Sequence, residues 1–533
     1  MNIILTGMMG VGKTTVGKML ARRLGMEFQD LDEYIESTAG MTVAMIFSRC
    51  GESHFRELEK KACRELGRRR NFVIATGGKT LLESTNLKTL CTSSLIVTLI
   101  SSADENLQRI KKEINKEKRK RPLLDTHPSR KFIEIYGERK SLYMNLPNKI
   151  DTSRMKAEQV VDAILRMLSG DEKRLEIGAG DNKSSIMVKK GLSRSFSAYL
   201  EEAVREKKIF ILSDKKVFAF HGEQLLKSCG EAHLEPEVLL LPRGERQKNL
   251  RTAEKIYAWL IRKNASRAST LITFGGGVVS DIGGWVASTF HRGLKLIIIP
   301  TTLLSQIDAS LGGKNGLNFG GGKNQIGTFY FPSLVLVDPL VLATLSERQM
   351  KEGMIEALKA GIIGDKELFD AIKAYLHLLL LKDMEHLEKV IIKAIKVKAG
   401  IVNKDPCEKE RRRLLNLGHT FGHALESYFN YRGMTHGQAV GLGLICACKM
   451  SSLLHICSES LVPEVKHILS KMKMPTRLKN LNIPRLISLM GCDKKRTEEG
   501  PSFILPEKTG KVIQKRKINE NIIRDSIKEI SYG

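Results

Sequence analysis

The chain has 533 residues, too many for one hydrophobic core, so length alone implies about three folding units. Hydrophobic residues make up 42% and charged residues 27%, the balance of an ordinary globular protein, and no run of about eighteen apolar residues offers a membrane span. The nine cysteines are odd in number and include no Cys-x-x-Cys pair, which speaks for reduced cytoplasmic thiols and against a disulfide framework or a zinc-thiolate site. The formal charge of +28 lies mostly in Lys and Arg spread over helix surfaces and interleaved with Glu. Its densest run, residues 111–121, has no aromatic side chains to stack bases and no accompanying nucleic-acid motif, so neither nucleic acid nor membrane is expected as a partner.

In chain order, residues 2–6 read as a short buried strand, which leaves no room for a signal peptide ahead of it. Gly7-Met8-Met9-Gly10-Val11-Gly12-Lys13-Thr14 follows, and then a helix from Thr15 to Leu24. Strand, glycine-rich loop, Lys-Thr and helix together form a phosphate-binding loop: backbone N–H groups turn toward phosphate oxygens, Lys13 reaches the outer phosphates and Thr14 holds magnesium. Asp30 and Asp32, two apart in an extended segment, point to one side. Arg56 can pair with a carboxylate in two-pronged fashion. Residues 72–75 and 95–100 are apolar runs of the buried parallel-strand type, and the first ends in Gly77-Gly78. Arg121 and Arg139 lie beyond the basic helix.

Residues 169–184 are polar and Gly-rich, the composition of a linker. Strand signals resume at 209–212, 271–274 and 296–299, and past about residue 344 the pattern turns helical. Gly275-Gly276-Gly277 directly follows a strand and opens a helix, allowing backbone to approach a pyrophosphate. Glu356 and Lys359 share one helix face. His419 and His423 stand four apart on another, and His436 follows. One Glu and two His would leave an open position on a divalent ion, as catalytic zinc requires.

Taken in order, the motifs of the first 168 residues resemble shikimate kinase. The resemblance implies an ATP-Mg site on Gly10, Gly12, Lys13, Thr14 and Thr15, with Asp30 near the metal. It places Asp32 on the acceptor hydroxyl, Arg56 and Arg139 on the shikimate carboxylate, Gly77 and Gly78 as backbone donors, and Arg121 against the transferring phosphate. Lys79 departs from the family, which usually has a third glycine there; its side chain could crowd the acceptor or add to the carboxylate clamp.

The motifs from about residue 185 onward resemble 3-dehydroquinate synthase, most specifically through residues 411–423, Arg-Arg-Arg-Leu-Leu-Asn-Leu-Gly-His-Thr-Phe-Gly-His. This resemblance implies zinc on Glu356, His419 and His436, and NAD over Gly275, Gly276, Gly277 and Asp281, with further contacts from Asp214, Glu245, Lys248, Thr301 and Thr302. It implies substrate contacts from Lys314, Lys323, Lys359, Arg412, Asn416 and His423, and a phosphate side of Arg292, Asn324 and Lys494 or Lys495, with Asp308 and Glu408 in the polar network. Pro406 and Glu410 replace an acid and a glycine usual in the family.

The expected fold class is α/β: a P-loop kinase domain over 1–168, with a parallel sheet flanked by helices, a linker over 169–184, an NAD-binding α/β lobe over 185–343, and a helical metal- and substrate-binding lobe over 344–533. The two resemblances together imply a fused shikimate kinase/3-dehydroquinate synthase of aromatic biosynthesis, cytoplasmic and homodimeric through its synthase part. The two reactions are not adjacent steps, so channelling between the sites is not implied. The alternatives are another sugar-phosphate cyclase or an alcohol dehydrogenase in the second part, a different small-molecule kinase in the first, or an ATP-using nucleic-acid factor.

Overall fold

The computed structural model describes residues 1–117, 128–320, 322–457, 461–490 and 501–533; Arg121, Lys494 and Lys495 lie outside the described residues. The chain forms two compact units. The first comprises Met1–Gly170 with Leu340–Ser346 and His377–Leu387, and the second Asp171–Pro339, Glu347–Leu376 and Glu388–Gly533.

The first unit is built on a parallel five-stranded sheet of β1 (Asn2–Gly7), β2 (Glu27–Asp30), β3 (Phe72–Ala75), β4 (Ser94–Ile100) and β5 (Lys149–Asp151), in the order β2-β3-β1-β4-β5. Its central strands are apolar on both faces because helices cover both: Ile3, Ile4, Leu5, Val73, Ile74, Leu95, Ile96 and Val97 are all buried. Leu5 pairs with Ala75, and Asp30 pairs with Ala75 on its other side, so the carboxyl ends of β1, β2 and β3 share one edge. The chain order reverses about β1, and a ligand crevice of an open parallel sheet forms at such a point. The two distant segments are tied in by buried polar groups. Lys382 Nζ donates to the carbonyls of Cys91 (2.6 Å) and Ala343 (2.7 Å), and Asp383 Oδ2 accepts from Asn148 N–H (2.7 Å).

The second unit contains a seven-stranded sheet. Its strands are β6 (Lys173–Ala179), β7 (Asn182–Val188), β8 (Lys208–Asp214), β9 (Glu235–Leu241), β10 (Thr270–Gly275), β11 (Lys295–Pro300) and, after a separate hairpin of β12 (Lys314–Phe319) and β13 (Gly322–Phe329), β14 (Leu334–Val337). The order is β6-β7-β14-β11-β10-β8-β9, antiparallel only between β6 and β7. The stretch expected as a linker therefore supplies β6 and the start of β7. Its polar composition misled because β6 is an edge strand in which only Ile177 is fully buried, and such a strand needs little apolar sequence.

Beyond β14 the unit is mainly helical, with a late hairpin of Phe503–Lys508 and Lys511–Lys515 ahead of the last helix, Glu520–Lys528. The helix His436–Leu453 is apolar around most of its circumference and packs against Glu347–Gly364 and His419–Tyr428. Its contact with the latter requires glycine: a Cβ on Gly443 would lie 2.0 Å from the Gly418 carbonyl oxygen, and Gly418 itself has φ +75°. No helix among the described residues is long and apolar enough to cross a membrane.

Candidate active sites

In the first unit the loop after β1 ends at Gly12, whose left-handed φ of 90° aims the first turn of the helix Lys13–Leu24 back toward the loop. Lys13 Nζ donates to the carbonyls of Gly7 (2.9 Å) and Met8 (3.0 Å), so the ammonium is held above the loop where phosphates would lie. Thr14 Oγ1 donates to Asp30 Oδ2 (2.8 Å), joining the hydroxyl and carboxylate expected near magnesium. Asp30 also caps the helix Leu31–Ala39 by accepting from Asp32 N–H (3.0 Å), which fixes Asp32 one step further on. Thr15 is exposed on the same helix as Lys13.

The acceptor side converges on the turn after β3. A Cβ on Gly77 would lie 3.2 Å from Asp32 Oδ1, and one on Gly78 would lie 3.8 Å from both Arg139 Nη1 and Met9 N. Arg56 pairs with Glu52 (2.9 Å) and with the buried Glu59 (3.0 Å), and Lys79 reaches the same Glu52 oxygen at 3.4 Å. Glu52 thus bridges Arg56 and Lys79, the residue that follows Gly78 in the turn. Lys79 is exposed enough that its pair is worth only a few tenths of a kcal/mol to about 1 kcal/mol. Replacing Lys79 by glycine is therefore expected to raise KM for the carboxylate-bearing acceptor about two- to five-fold, with kcat unchanged. Initial rates at low and high salt check this; a lowered KM would show that the side chain obstructs the acceptor.

Asp32 has the most informative charge state. Burial first, then the neighbouring Asp30 and Glu59 carboxylates, push it up to about 6, with Lys13 pulling the other way. A carboxyl raised in this way is ionised above about 6 and becomes protonated as pH falls through that value. If it accepts the hydroxyl proton, kcat/KM of the kinase reaction falls about tenfold per pH unit below about 6. An acid limb near the ordinary carboxylate value of about 4 would contradict this.

In the second unit the helix Glu347–Gly364 carries Glu356 and Lys359, both nearly fully buried and ion-paired. His419 opens the helix His419–Tyr428, and His436 opens the helix His436–Leu453, whose N-terminus is closed by a Thr435–Gln438 capping box. Nε2 of His419 lies 3.7 Å and Nε2 of His436 lies 3.6 Å from Glu356 Oε1, and the three ligand atoms fall within 4.8 Å of one another. Ligands about 2.0–2.2 Å from a tetrahedral zinc have this order of separation.

Three further features fit an ion there. Glu356 Oε2 is taken by Lys359, whereas Oε1 faces the two imidazoles without accepting a well-directed hydrogen bond, a position an ion between them would satisfy. His419 Nδ1 faces the Leu417 carbonyl (3.1 Å) and His436 Nδ1 faces Glu426 Oε1 (3.4 Å), leaving both Nε2 atoms turned inward. The charges suit a cation at two of the three positions; at the third, against burial, the Glu356 and Glu426 carboxylates push His436 up to about 9, so an ion there must displace that proton. Burial alone would raise the Glu356 carboxyl, but Lys359, His419 and His436 outweigh it and hold it well below the usual range. Burial and the Lys359 ammonium push His419 down to about 3, so that it stands neutral as a ligand must.

An open cavity borders His419 and is lined also by Arg413, Asn416, His423 and Arg516. His423 is exposed, its ring centroid 5.4 Å from that of His419. Lys314 pairs with Glu408 (2.7 Å), which also accepts from Asn416 Nδ2 (3.3 Å). Arg412 does something else. It is buried, and its guanidinium donates to the Gly312 carbonyl (2.7 Å) and to that of Pro406, while Arg413 lines the cavity. Arg292 and Asn324 are exposed at positive φ and are absent from the cavity lining among the described residues.

Around the glycine turn after β10, Gly276 caps the helix Gly277–Thr289. Asp281 on that helix is ion-paired with Lys248, and burial raises its carboxyl despite that lysine. Thr301 Oγ1 is buried without a partner, a hydroxyl free to meet a ligand, while Thr302 bonds Ser305 (2.8 Å). Glu245 accepts from Asn318 Nδ2 (2.9 Å). Asp214 spends one oxygen capping the helix Lys215–Glu231.

Sequence reading missed three groups here. Lys398 is buried and ion-paired with Asp308, Arg413 lines the cavity, and Glu426 backs His436. Glu426 had a signal in its spacing: seven residues past His419, it lies on the same helix face. The other two had none.

Comparison with known proteins agrees with this geometry. Family models match residues 9–169 as shikimate kinase, 238–352 as 3-dehydroquinate synthase N-terminal and 353–496 as 3-dehydroquinate synthase C-terminal. A bifunctional shikimate kinase/3-dehydroquinate synthase of Thermotoga maritima is 33% identical over 501 residues, 93% of this chain and 93% of that one. The 3-dehydroquinate synthase of Clostridium botulinum is 37% identical over 340 residues, 63% of this chain and 96% of that enzyme. Among solved structures, a 2-epi-5-epi-valiolone synthase from Streptomyces hygroscopicus with NAD+ and Zn2+ bound is 25% identical, with a TM-score of 0.57 over 61% of this chain and 90% of that one. With family models of both enzymes matched in order and near-complete coverage of a two-activity relative, the chain belongs to the bifunctional shikimate kinase/3-dehydroquinate synthase family.

Proposed function

We propose that each unit carries one activity of this family on the residues described above. In the first, Lys13 and the loop N–H groups cradle the ATP phosphates, and Thr14 with Asp30 positions the accompanying Mg2+. Arg56, Arg139 and Lys79 draw in the shikimate carboxylate, and Asp32 accepts the proton of the hydroxyl that is phosphorylated. Phosphoryl transfer asks mainly for positioning and charge neutralisation, which these groups supply.

In the second, Glu356, His419 and His436 would hold a divalent ion, and Gly275, Gly276, Gly277, Asp281 and Thr301 would hold NAD. These two groups, when bound, provide a Lewis acid for a substrate hydroxyl and a reversible hydride acceptor. The substrate, 3-deoxy-D-arabino-heptulosonate 7-phosphate, carries a carboxylate and a phosphate. Lys314, Lys359, Lys398 and Arg413 would balance those charges, and Asn416 would orient the hydroxyls. His423, exposed to the cavity, would hold or move a proton as phosphate leaves. Domain limits close to 1–170 for the kinase part support this division, as does analogy for a cytoplasmic homodimer formed through the synthase part. A monomer by light scattering would remove the latter.

The convergence of Glu356, His419 and His436 from three separate helices beside a cavity carries the lyase reading. Mass spectrometry of products from each substrate tests it. A strong chelator is expected to stop formation of both shikimate 3-phosphate and 3-dehydroquinate, and excess Mg2+ to restore only the first. Accumulating NADH in place of 3-dehydroquinate would point to a dehydrogenase.

A further inference from the structure

We propose that Glu426 and Lys323 tune the second unit's affinity for its metal: Glu426 is a positioning residue for the ligand His436, and Lys323 competes for the same carboxylate oxygen. The inference rests on the reading of Glu356, His419 and His436 as metal ligands.

Glu426 is 3% exposed, so its charge must be answered within the protein. Its Oε1 accepts from Lys323 Nζ at 2.7 Å and faces His436 Nδ1 at 3.4 Å. The imidazole of His436 is thereby strung between two carboxylates, Glu426 behind it and Glu356 in front, 3.6 Å from Nε2. His419 differs. Its Nδ1 faces a neutral backbone carbonyl, that of Leu417. A carboxylate behind an imidazole fixes the ring and makes the opposite nitrogen a stronger donor to metal, more so than a carbonyl does. His436 is thus the ligand whose strength a neighbouring charge can change.

Lys323 is the charge that can change it. It projects from the hairpin strand β13, is only partly buried, and lies 5.2 Å from the Tyr431 ring centroid. Its bond to Glu426 is the shorter of the two and draws charge away from the His436 side. When an anionic substrate group claims Lys323, the full carboxylate charge returns to His436, which links substrate binding to metal binding.

The test is the affinity for Co2+, read by its visible absorption, and for Zn2+, read by competition with a coloured chelator, in the full-length protein. Glu426→Gln is isosteric and is expected to weaken both about 10- to 100-fold. Lys323→Met is expected to act in the opposite sense and tighten both several-fold, which mere damage to the fold would not do. In the double variant the effect of Lys323→Met is expected to vanish, because it acts through Glu426. Unchanged affinity in Glu426→Gln, or weakening in Lys323→Met, overturns the proposal. Should Glu426→Gln fail to fold, the sign of the Lys323→Met effect decides. If the unaltered protein binds no Co2+, the metal reading itself has failed, a result distinct from normal binding with unresponsive variants.

Discussion

Replacing His436 by alanine is expected to lower phosphate release from the heptulosonate phosphate by at least about 10²–10³-fold, while ADP formation from ATP and shikimate stays unchanged. The large effect follows from the ligand count. With His436 gone, Glu356 and His419 remain, and two ligands cannot fix the geometry that a catalytic ion with one open position needs. The loss should appear in metal content before it appears in stability, because His436 is only half-buried and its helix keeps the Thr435 cap. Metal analysis after gel filtration, alongside the two assays, checks this. Added imidazole, which can enter the vacated space, should recover part of the synthase rate. Full synthase activity in the metal-depleted variant would remove the metal from the mechanism.

The second large effect is the converse. Lys13→Ala is expected to reduce the kinase rate by about 10²–10³-fold or more and to leave 3-dehydroquinate formation intact. In the free protein Lys13 spends its donors on the Gly7 and Met8 carbonyls. Moving them onto phosphate oxygens replaces dipole partners with full charges, a gain largest as charge builds on the transferring group. The helix N-terminus and loop amides survive the substitution, so ATP binding should weaken less than turnover. Lys13→Arg should not restore the rate, because a planar guanidinium cannot stand where a compact ammonium fits against the Gly7 and Met8 carbonyls. Loss of both activities in either variant, with an unchanged melting curve, would refute independence of the two sites.

The phosphate-binding loop was legible because its physics is local. A strand, glycines at positive φ and a helix N-terminus within about a dozen residues specify the anion cradle without help from the rest of the fold. The metal centre was legible only in part. Local spacing pairs His419 with His423, four apart on one helix, yet the structure sends His423 to the cavity and completes the centre with His436 and Glu356. Family resemblance found that set; periodicity could not. Arg412 and Arg413 make the same point at finer scale. Which of three consecutive arginines meets the cavity depends on the phase of the short turn Arg411–Asn416, and composition carries no phase. The stretch 169–184 was misread because an edge strand can be almost as polar as a linker.

The amino-acid order by itself determined the phosphate-binding loop and named the side chains of the candidate metal centre, since the first rests on short-range geometry and the second on a motif long enough to be specific. Only the tertiary structure decided that Glu356, His419 and His436 meet, that Lys398 pairs with Asp308, and that Glu426 answers both His436 and Lys323. All but the Glu426–His436 contact join residues on elements far apart in the chain. They form because burial forces every charge to find a partner, and which partner is near depends on how helices pack rather than on how far apart residues stand in the chain.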